Sequence, residues 1–389
     1  MKFTIEKKEI SDALSLVSSV AEKRLSIPVL SNILLKVDKL GLTLIATDLE
    51  IELTFKISKI ELKQEGSTTV SARKLADLIR SVPEDTVLTF EVIENQLEIS
   101  ALKFQADFST LPVGDFPVVE IQEFEREVAL PGRELANLIE KTSFAMASQD
   151  VRYYLNGILL EVSPSRINVV ATDGHRLAWS SCEIKTDFIE EKIIIPRKSA
   201  LELQKLLNLY PDNVNIAFNA TQLKVYSDEY VFISKLIEGS YPDYEKVFPK
   251  GIEQKLKADK SSVQTALNRA AVLSNEKYRG VKFILEKDNL KICANNPSKE
   301  SAEEEVLVEY SGDSFEIGFN ISYVQESLSV IPNNEVEFVF FGSENSCLVK
   351  NIDDESLIHV IMPMRLCLLY TSDAADDSLR VDLGGRRII

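Results

Sequence analysis

Apolar residues stand at the same offsets before a proline in three places along the chain. Leu75, Leu78, Ile79 and Val82 precede Pro83; Leu203, Leu206, Leu207 and Tyr210 precede Pro211; Val324, Ser327, Leu328 and Ile331 precede Pro332. Spacing of i, i+3, i+4 and i+7 is one face of an α-helix, and the proline that follows ends it. Only Ser327 breaks the apolar set. A second pattern, an alternating strand pair that closes on a turn, also occurs three times. Asn32–Leu35 leads to Ile45–Asp48, Asn156–Leu159 to Val170–Asp173, and Gly280–Phe283 to Cys293–Asn296. Both patterns keep the same order and return at intervals of about 120 to 130 residues, which identifies a triplicated unit.

Each unit reads as a helix, a strand pair, further strands, the proline-stopped helix and more strands. Six helices are predicted, over 7–24, 71–82, 133–147, 197–209, 260–277 and 321–331. Short hairpins with polar turns predict antiparallel sheets, so the fold class is α+β. Matching exit loops, Gly114–Pro117 and Gly239–Pro242, set the domains at 1–125, 126–253 and 254–366. Residues 367–389 show neither period. They read as a disordered appendage or a sequence-assembly artefact, with a short amphipathic peptide docking on the body as the alternative.

The chain has 389 residues, 45% apolar and 27% charged, as expected of a soluble globular protein too long for one core. No run approaches the roughly 18 apolar residues of a membrane helix, and Met1–Glu6 alternates like a strand rather than a signal peptide. Cys182, Cys293, Cys347 and Cys367 lack metal or redox spacing and read as reduced thiols in a cytoplasmic protein. A formal charge of −17 argues against a protein that coats nucleic acid electrostatically. The charge is unevenly spread, however. The helices together are weakly positive, through Lys23, Arg24, Arg73, Lys74, Arg80, Arg197, Lys198 and Lys205, while runs such as Glu303–Glu305 and Asp353–Glu355 lie in strands and loops. For one helix this is an ordinary solvated face. Repeated in equivalent helices, it describes a positive surface facing a polyanion, with an acidic exterior elsewhere.

No phosphate loop, dinucleotide fingerprint, nucleophile elbow or zinc spacing is present, and His175 and His359 are the only histidines. Neither a catalytic site, a metal nor a cofactor is expected. Asp48 and Asp173 occupy the same place in two repeats and are expected to cap the same turn twice. His175, where the first copy has Leu49 and the third Pro297, is either a satisfied loop residue or a binding group. The segment Gln149–Gly157 joins a helix to a strand, and its Gln, Arg and paired Tyr suit contacts to phosphate and sugar; singly, the tyrosines also suit half-buried packing.

Asp150–Gly157, Ala171–Leu177, Leu273–Lys277 and Met362–Leu366 closely resemble the bacterial beta sliding clamp family, and the resemblance covers residues 1–366 in unchanged order. It implies three clamp domains per chain, each with two helices packed on antiparallel sheets, and a head-to-tail homodimer that makes a six-domain ring. A domain of about 120 residues has a radius of gyration near 14 Å, so three make an arc that a second chain must close. The resemblance implies a non-enzymatic processivity factor that encircles duplex DNA without reading sequence. DNA contacts are implied at Arg24, Arg73, Gln149, Tyr153, Tyr154, Arg197 and Lys198.

Short linear peptides of the replicative polymerase alpha subunit, the clamp loader and repair polymerases are implied partners. Their cleft would comprise Leu155, Thr172, Gly174, His175, Arg176, Leu177, Pro242, Val247, Tyr278, Asn320, Tyr323, Ser346, Met362, Pro363, Met364, Arg365 and Leu366. In it, His175, Arg176, Asn320 and Tyr323 are expected to orient a peptide backbone. Lys246 stands where the family often has Arg. The ring interface would pair Lys74, Leu78, Phe104 and Phe108 with Val272, Leu273, Glu300 and Glu304. Family chains usually end at the leucine matched by Leu366, so Leu368 and Leu369 of the tail are candidates to occupy the cleft. Two rivals to a sliding clamp are a ring-shaped peptide scaffold that does not encircle DNA and a metal-dependent nuclease using the repeated aspartates.

Overall fold

The computed structural model describes residues 1–21, 27–119, 122–124, 126–186, 190–352 and 354–365. Lys23, Arg24, Leu366, Cys367, Leu368, Leu369 and the rest of 367–389 lie outside the described residues. Two compact units are formed, Met1–Pro242 and a second that begins at Asp243.

The six α-helices among the described residues are α1 (Lys7–Val20), α2 (Ala72–Ser81), α3 (Gly132–Ser143), α4 (Arg197–Leu209), α5 (Lys260–Val272) and α6 (Ile321–Ser329). The proline-stopped faces behave as the spacing predicts. Leu75, Ile79, Leu203, Leu206, Leu207, Val324, Leu328 and Ile331 are buried almost completely, each burial stabilising by about 1.5–3 kcal/mol. Ser327 is buried as well, and its Oγ has no hydrogen-bond partner. Five helices are shorter than the sequence predicts, α1, α3 and α5 by three residues or more. The chain turns extended at Ala21, φ −54° and ψ 139°, which ends α1 before the basic residues assigned to it. After α3, Ala145 N–H donates to the Thr142 carbonyl and tightens the last turn. Leu273 N–H does the same to Ala270 after α5.

One strand topology occurs three times. The strand before the first helix pairs antiparallel with the strand after the second: Lys2–Glu6 with Val87–Ile93, Arg126–Pro131 with Asn213–Phe218, and Gln254–Asp259 with Glu335–Phe340. The strand leading into the second helix pairs with the first strand of the turn-closing pair: Gly66–Ser71 with Asn32–Asp38, Glu191–Pro196 with Gly157–Val162, and Phe315–Asn320 with Gly280–Glu286. Within the first unit, Tyr230–Lys235 of the second repeat pairs with Ile51–Ile57 of the first, so one eight-stranded sheet runs through both. Phe55, Tyr210 and Tyr230 pack together at that join, with Phe55–Tyr210 ring centroids 4.8 Å apart. One large hydrophobic core therefore runs through the first two repeats, beside a small cluster of Val29, Leu34 and Phe116, and the second unit has its own.

The first helix of each repeat is latched by a shared device. The backbone N–H groups of Lys7, Gly132 and Lys260 donate to the carbonyls of Thr86, Asp212 and Asn334, in the loop after the second helix. Lys7 and Lys260 also send Nζ to the carbonyls of Val82 and Ile331, each at 2.6 Å. The second repeat has glycine there because a Cβ would stand 2.7 Å from the Asp212 carbonyl oxygen. None of Cys182, Cys293 and Cys347 is in a disulfide; burial pushes the Cys182 thiol up to about 11 and that of Cys347 well above its usual range.

Candidate functional site

The loop after α3 presents Gln149, Tyr153 and Tyr154, and its shape is fixed from within. Asp150 N–H donates to Asn156 Oδ1 and Asn156 Nδ2 donates back to the Asp150 carbonyl, both at 2.9 Å. Arg152 grips the Asp150 carboxylate through Nε and Nη2 at 3.0 and 2.9 Å. Hydrogen bonds from Arg152 hold the Asp150 carboxyl down to about 2. Gln149 takes a left-handed φ of 59° at the loop entrance, and Tyr153 is 60% exposed with its ring edge-on to Tyr154. Arg73 on α2 has a side chain 92% exposed. Arg197 and Lys198, at the start of α4, are engaged locally: Arg197 donates to the Met146 carbonyl, and Lys198 pairs with Asp48 and reaches the Val20 carbonyl. Arg24 lies outside the described residues.

The turn ending the second strand of each pair is built on one plan three times, the third a residue longer. Asp48 Oδ1 accepts from Glu50 and Ile51 N–H, Asp173 Oδ1 from His175 and Arg176 N–H, and Asn296 Oδ1 from Ser298 and Glu300 N–H. Thr47 and Thr172 brace the first two by donating to the carbonyls of Ile51 and Arg176. In the second repeat the turn carries His175 exposed at its tip, beside Gly174 at φ 88°. Arg176 is buried, its guanidinium donating to Asp173 Oδ2 at 3.1 Å and the Phe144 carbonyl at 2.6 Å while lying over the Phe144 ring. The Arg176 guanidinium is thus engaged by its own turn and the end of α3, while His175 is exposed. Leu155 and Leu177 are buried, Thr172 is half-buried and Pro242 exposed.

In the second unit, Val247 is half-buried on the short turn Tyr244–Val247 and Tyr278 is 57% exposed. Asn320 caps α6, its Oδ1 accepting from Ser322 N–H at 2.9 Å, so this acceptor too is used within the fold. Tyr323, Met362, Pro363 and Met364 are half-buried, Arg365 is exposed and Ser346 is buried. Met364 N–H donates to the Gly318 carbonyl at 2.7 Å, which holds the segment after the last strand.

Two further surfaces expose apolar groups. In the first unit, Leu78, Val82, Ala101, Leu102 and Phe104 line a hollow of about 390 Å³; Leu102 is 89% and Phe104 44% exposed. Phe108 is half-buried and Lys74 exposed. In the second unit, Val272 is 78% exposed and Leu273 half-buried. Arg269 holds Glu304 with two bonds of 2.6 Å, drawing the Glu304 carboxyl below its usual range. Glu300 accepts from Asn296 Nδ2.

The sequence profiles of the DNA polymerase III beta subunit match most of this chain: the N-terminal domain at residues 1–120, the central domain at 129–243 and the C-terminal domain at 245–365. The chain belongs to the DNA polymerase III beta subunit family. It is 43% identical over 367 residues to the beta sliding clamp of Pseudomonas aeruginosa, covering 94% of this chain and 100% of that protein. The beta sliding clamp of Escherichia coli K12 is 38% identical over 366 residues, with the same coverage. Among solved structures, the Pseudomonas aeruginosa clamp bound to griselimycin superposes with a TM-score of 0.89 at 43% identity, covering 94% of this chain and 100% of that one. The function is that of the family, a non-catalytic sliding clamp of DNA replication.

Sequence reading missed three residues that shape the clamp's candidate site. Asp150 and Asn156 clamp the loop, and the Tyr241 hydroxyl accepts from Thr172 N–H at 3.0 Å. Their signals were present: an Asp and an Asn flanking a short exposed loop, and a Tyr before the proline of the exit loop. Among the described residues, no cluster of His, Cys, Asp and Glu could hold a metal ion.

Proposed function

We propose that two copies of this chain join head to tail into a six-domain ring around duplex DNA, with domains 1–125, 126–253 and 254–366 as the repeating blocks. Arg24, Arg73, Gln149, Tyr153, Tyr154, Arg197 and Lys198 contact the backbone weakly and without sequence preference, so the ring slides. The hollow beside Phe104, with Lys74, Leu78 and Phe108, receives Val272 and Leu273 of a second copy, and Glu300 and Glu304 lie near the basic side. Leu155, Thr172, Gly174, His175, Leu177 and Pro242, together with Val247, Tyr278, Tyr323, Ser346 and Met362–Leu366, take short peptides of the polymerase, loader and repair factors. Arg176 and Asn320 serve that cleft by holding its walls. A role in DNA replication supports a cytoplasmic location.

The observation that supports this reading is the pair of exposed apolar edges, Leu102 and Phe104 in one unit and Val272 in the other. Sedimentation equilibrium tests it. The native chain is expected to run as a dimer of two 43.7 kDa chains and Leu273→Asp as a monomer; a native chain that stays monomeric at micromolar concentration contradicts the reading.

A further inference from the structure

In all three repeats a single side-chain oxygen closes the turn after the strand pair: Asp48 Oδ1, Asp173 Oδ1 and Asn296 Oδ1 each accept two backbone N–H groups. Asn296 does so as a neutral carboxamide, so closing such a turn requires an oxygen but no charge. The second polar atom of the side chain is used differently in each copy. Asp173 Oδ2 takes the Arg176 guanidinium of its own turn, and Asn296 Nδ2 donates to Glu300. Asp48 Oδ2 instead takes Lys198, from the helix of another repeat.

Lys198 is the second residue of α4, a place held by Arg73 in α2 and by Ser322 in α6. Arg73 is held loosely: its Nε stands 3.7 Å from Asp77, and its side chain is 92% exposed. Lys198 is held from two sides, by the Asp48 carboxylate and by the Val20 carbonyl at the end of α1, 3.4 Å away. That carbonyl adds the negative end of a helix dipole to the carboxylate. Only 5% of the Asp48 side chain is exposed, and its two bonds within the turn keep it in place, whereas 43% of the Lys198 side chain faces solvent. A phosphate approaching Lys198 therefore meets an ammonium already facing a fixed counter-charge, which weakens the attraction at that point.

We propose, resting on the assignment of Lys198 to the DNA-facing surface, that Asp48 is a positioning residue that holds Lys198 back from the DNA backbone and so sets how fast the ring slides. The charge at Asp48 serves this hold, while its Oδ1 serves the turn.

Single-molecule tracking of rings placed on long circular duplex DNA by a clamp loader, with diffusion measured against salt concentration, tests the proposal. Asp48→Asn keeps an oxygen for the turn, as Asn296 does, and releases Lys198. It is expected to slow sliding severalfold at low salt and to steepen the salt dependence by about one phosphate contact. Asp48→Ser, which also offers the turn an oxygen, is expected to act the same way. In a Lys198→Ala background, Asp48→Asn is expected to make no difference to sliding. Glu65→Gln, the same charge change at an exposed position, is expected to slide as the native ring does. Asp48→Asn rings that slide like native ones overturn the proposal while the encircling ring stands, as does equal slowing with and without Lys198 or by Glu65→Gln. Native rings that circular DNA does not retain overturn both readings.

Discussion

Lys198 at the start of α4 forms an ion pair with Asp48, at the turn of the first repeat, through Asp48 Oδ2. The other carboxylate oxygen, Oδ1, accepts the backbone N–H groups of Glu50 and Ile51 at 2.9 and 2.7 Å. One carboxylate thus closes its own turn and joins two repeats.

The two roles of Asp48 differ in weight. The Lys198 side chain is 43% exposed and that of Asp48 only 5%, so the pair is screened from one side and Lys198→Ala should cost up to about 1 kcal/mol. Asp48→Ala also strips two turn N–H groups of their acceptor and should cost about 1–3 kcal/mol. Urea unfolding of both variants checks the order; a larger cost for Lys198→Ala would show that the ion pair, and not the turn, matters.

Lys7 and Lys260 should behave as a matched pair. Replacing either by Met keeps the aliphatic stem but leaves the carbonyl of Val82 or Ile331 without its 2.6 Å donor. A loss of about 1–3 kcal/mol is expected at each site. Thermal unfolding should locate the effect of Lys260→Met in the second unit.

Ser327 takes a buried helical position that Leu78 and Leu206 fill in the other repeats, and its hydroxyl is unsatisfied. Ser327→Ala should therefore hold or raise stability, by up to about 1 kcal/mol. A drop of more than about 1 kcal/mol in denaturant unfolding would show that the hydroxyl is bonded in solution.

Glu52 gives a pH dependence of known sign. Burial raises its carboxyl pKa, outweighing the hydrogen bond from Val119 N–H at 3.1 Å and the Lys36 charge. The folded state thus holds the proton more tightly than the unfolded chain. Its favourable contribution is full below the unfolded pKa of 4.5 and is lost as pH rises through the folded value. Glu52→Gln keeps an acceptor for Val119, so it should raise Tm at pH 7 and much less at pH 4. An equal rise at both values would sever the effect from titration.

The triplicated frame was legible because its signal is periodic. The faces ending at Pro83, Pro211 and Pro332, and the strand pairs closing at Asp48, Asp173 and Asn296, follow the sequence closely. Asp48 and Asp173 also cap the same turn, as their repeat positions implied. Helix ends were less legible, since the dihedral change at Ala21 has no proline or glycine to mark it. The local partners of Arg176 and Asn320 were not legible either, because they are set by the fold of their own turns and helix start. A list of cleft positions cannot show that Asp173 and the Phe144 carbonyl already take the guanidinium, or that Ser322 N–H already takes the Asn320 oxygen.

Retention on DNA is the central claim and can be measured directly. The protein is loaded by a clamp loader onto nicked circular DNA, freed of excess protein, and the circle is then cut once. A sliding ring held by topology should stay on the circle through a salt wash and leave promptly after linearisation. Bound protein that survives linearisation, or that salt removes from the intact circle, would contradict an encircling clamp.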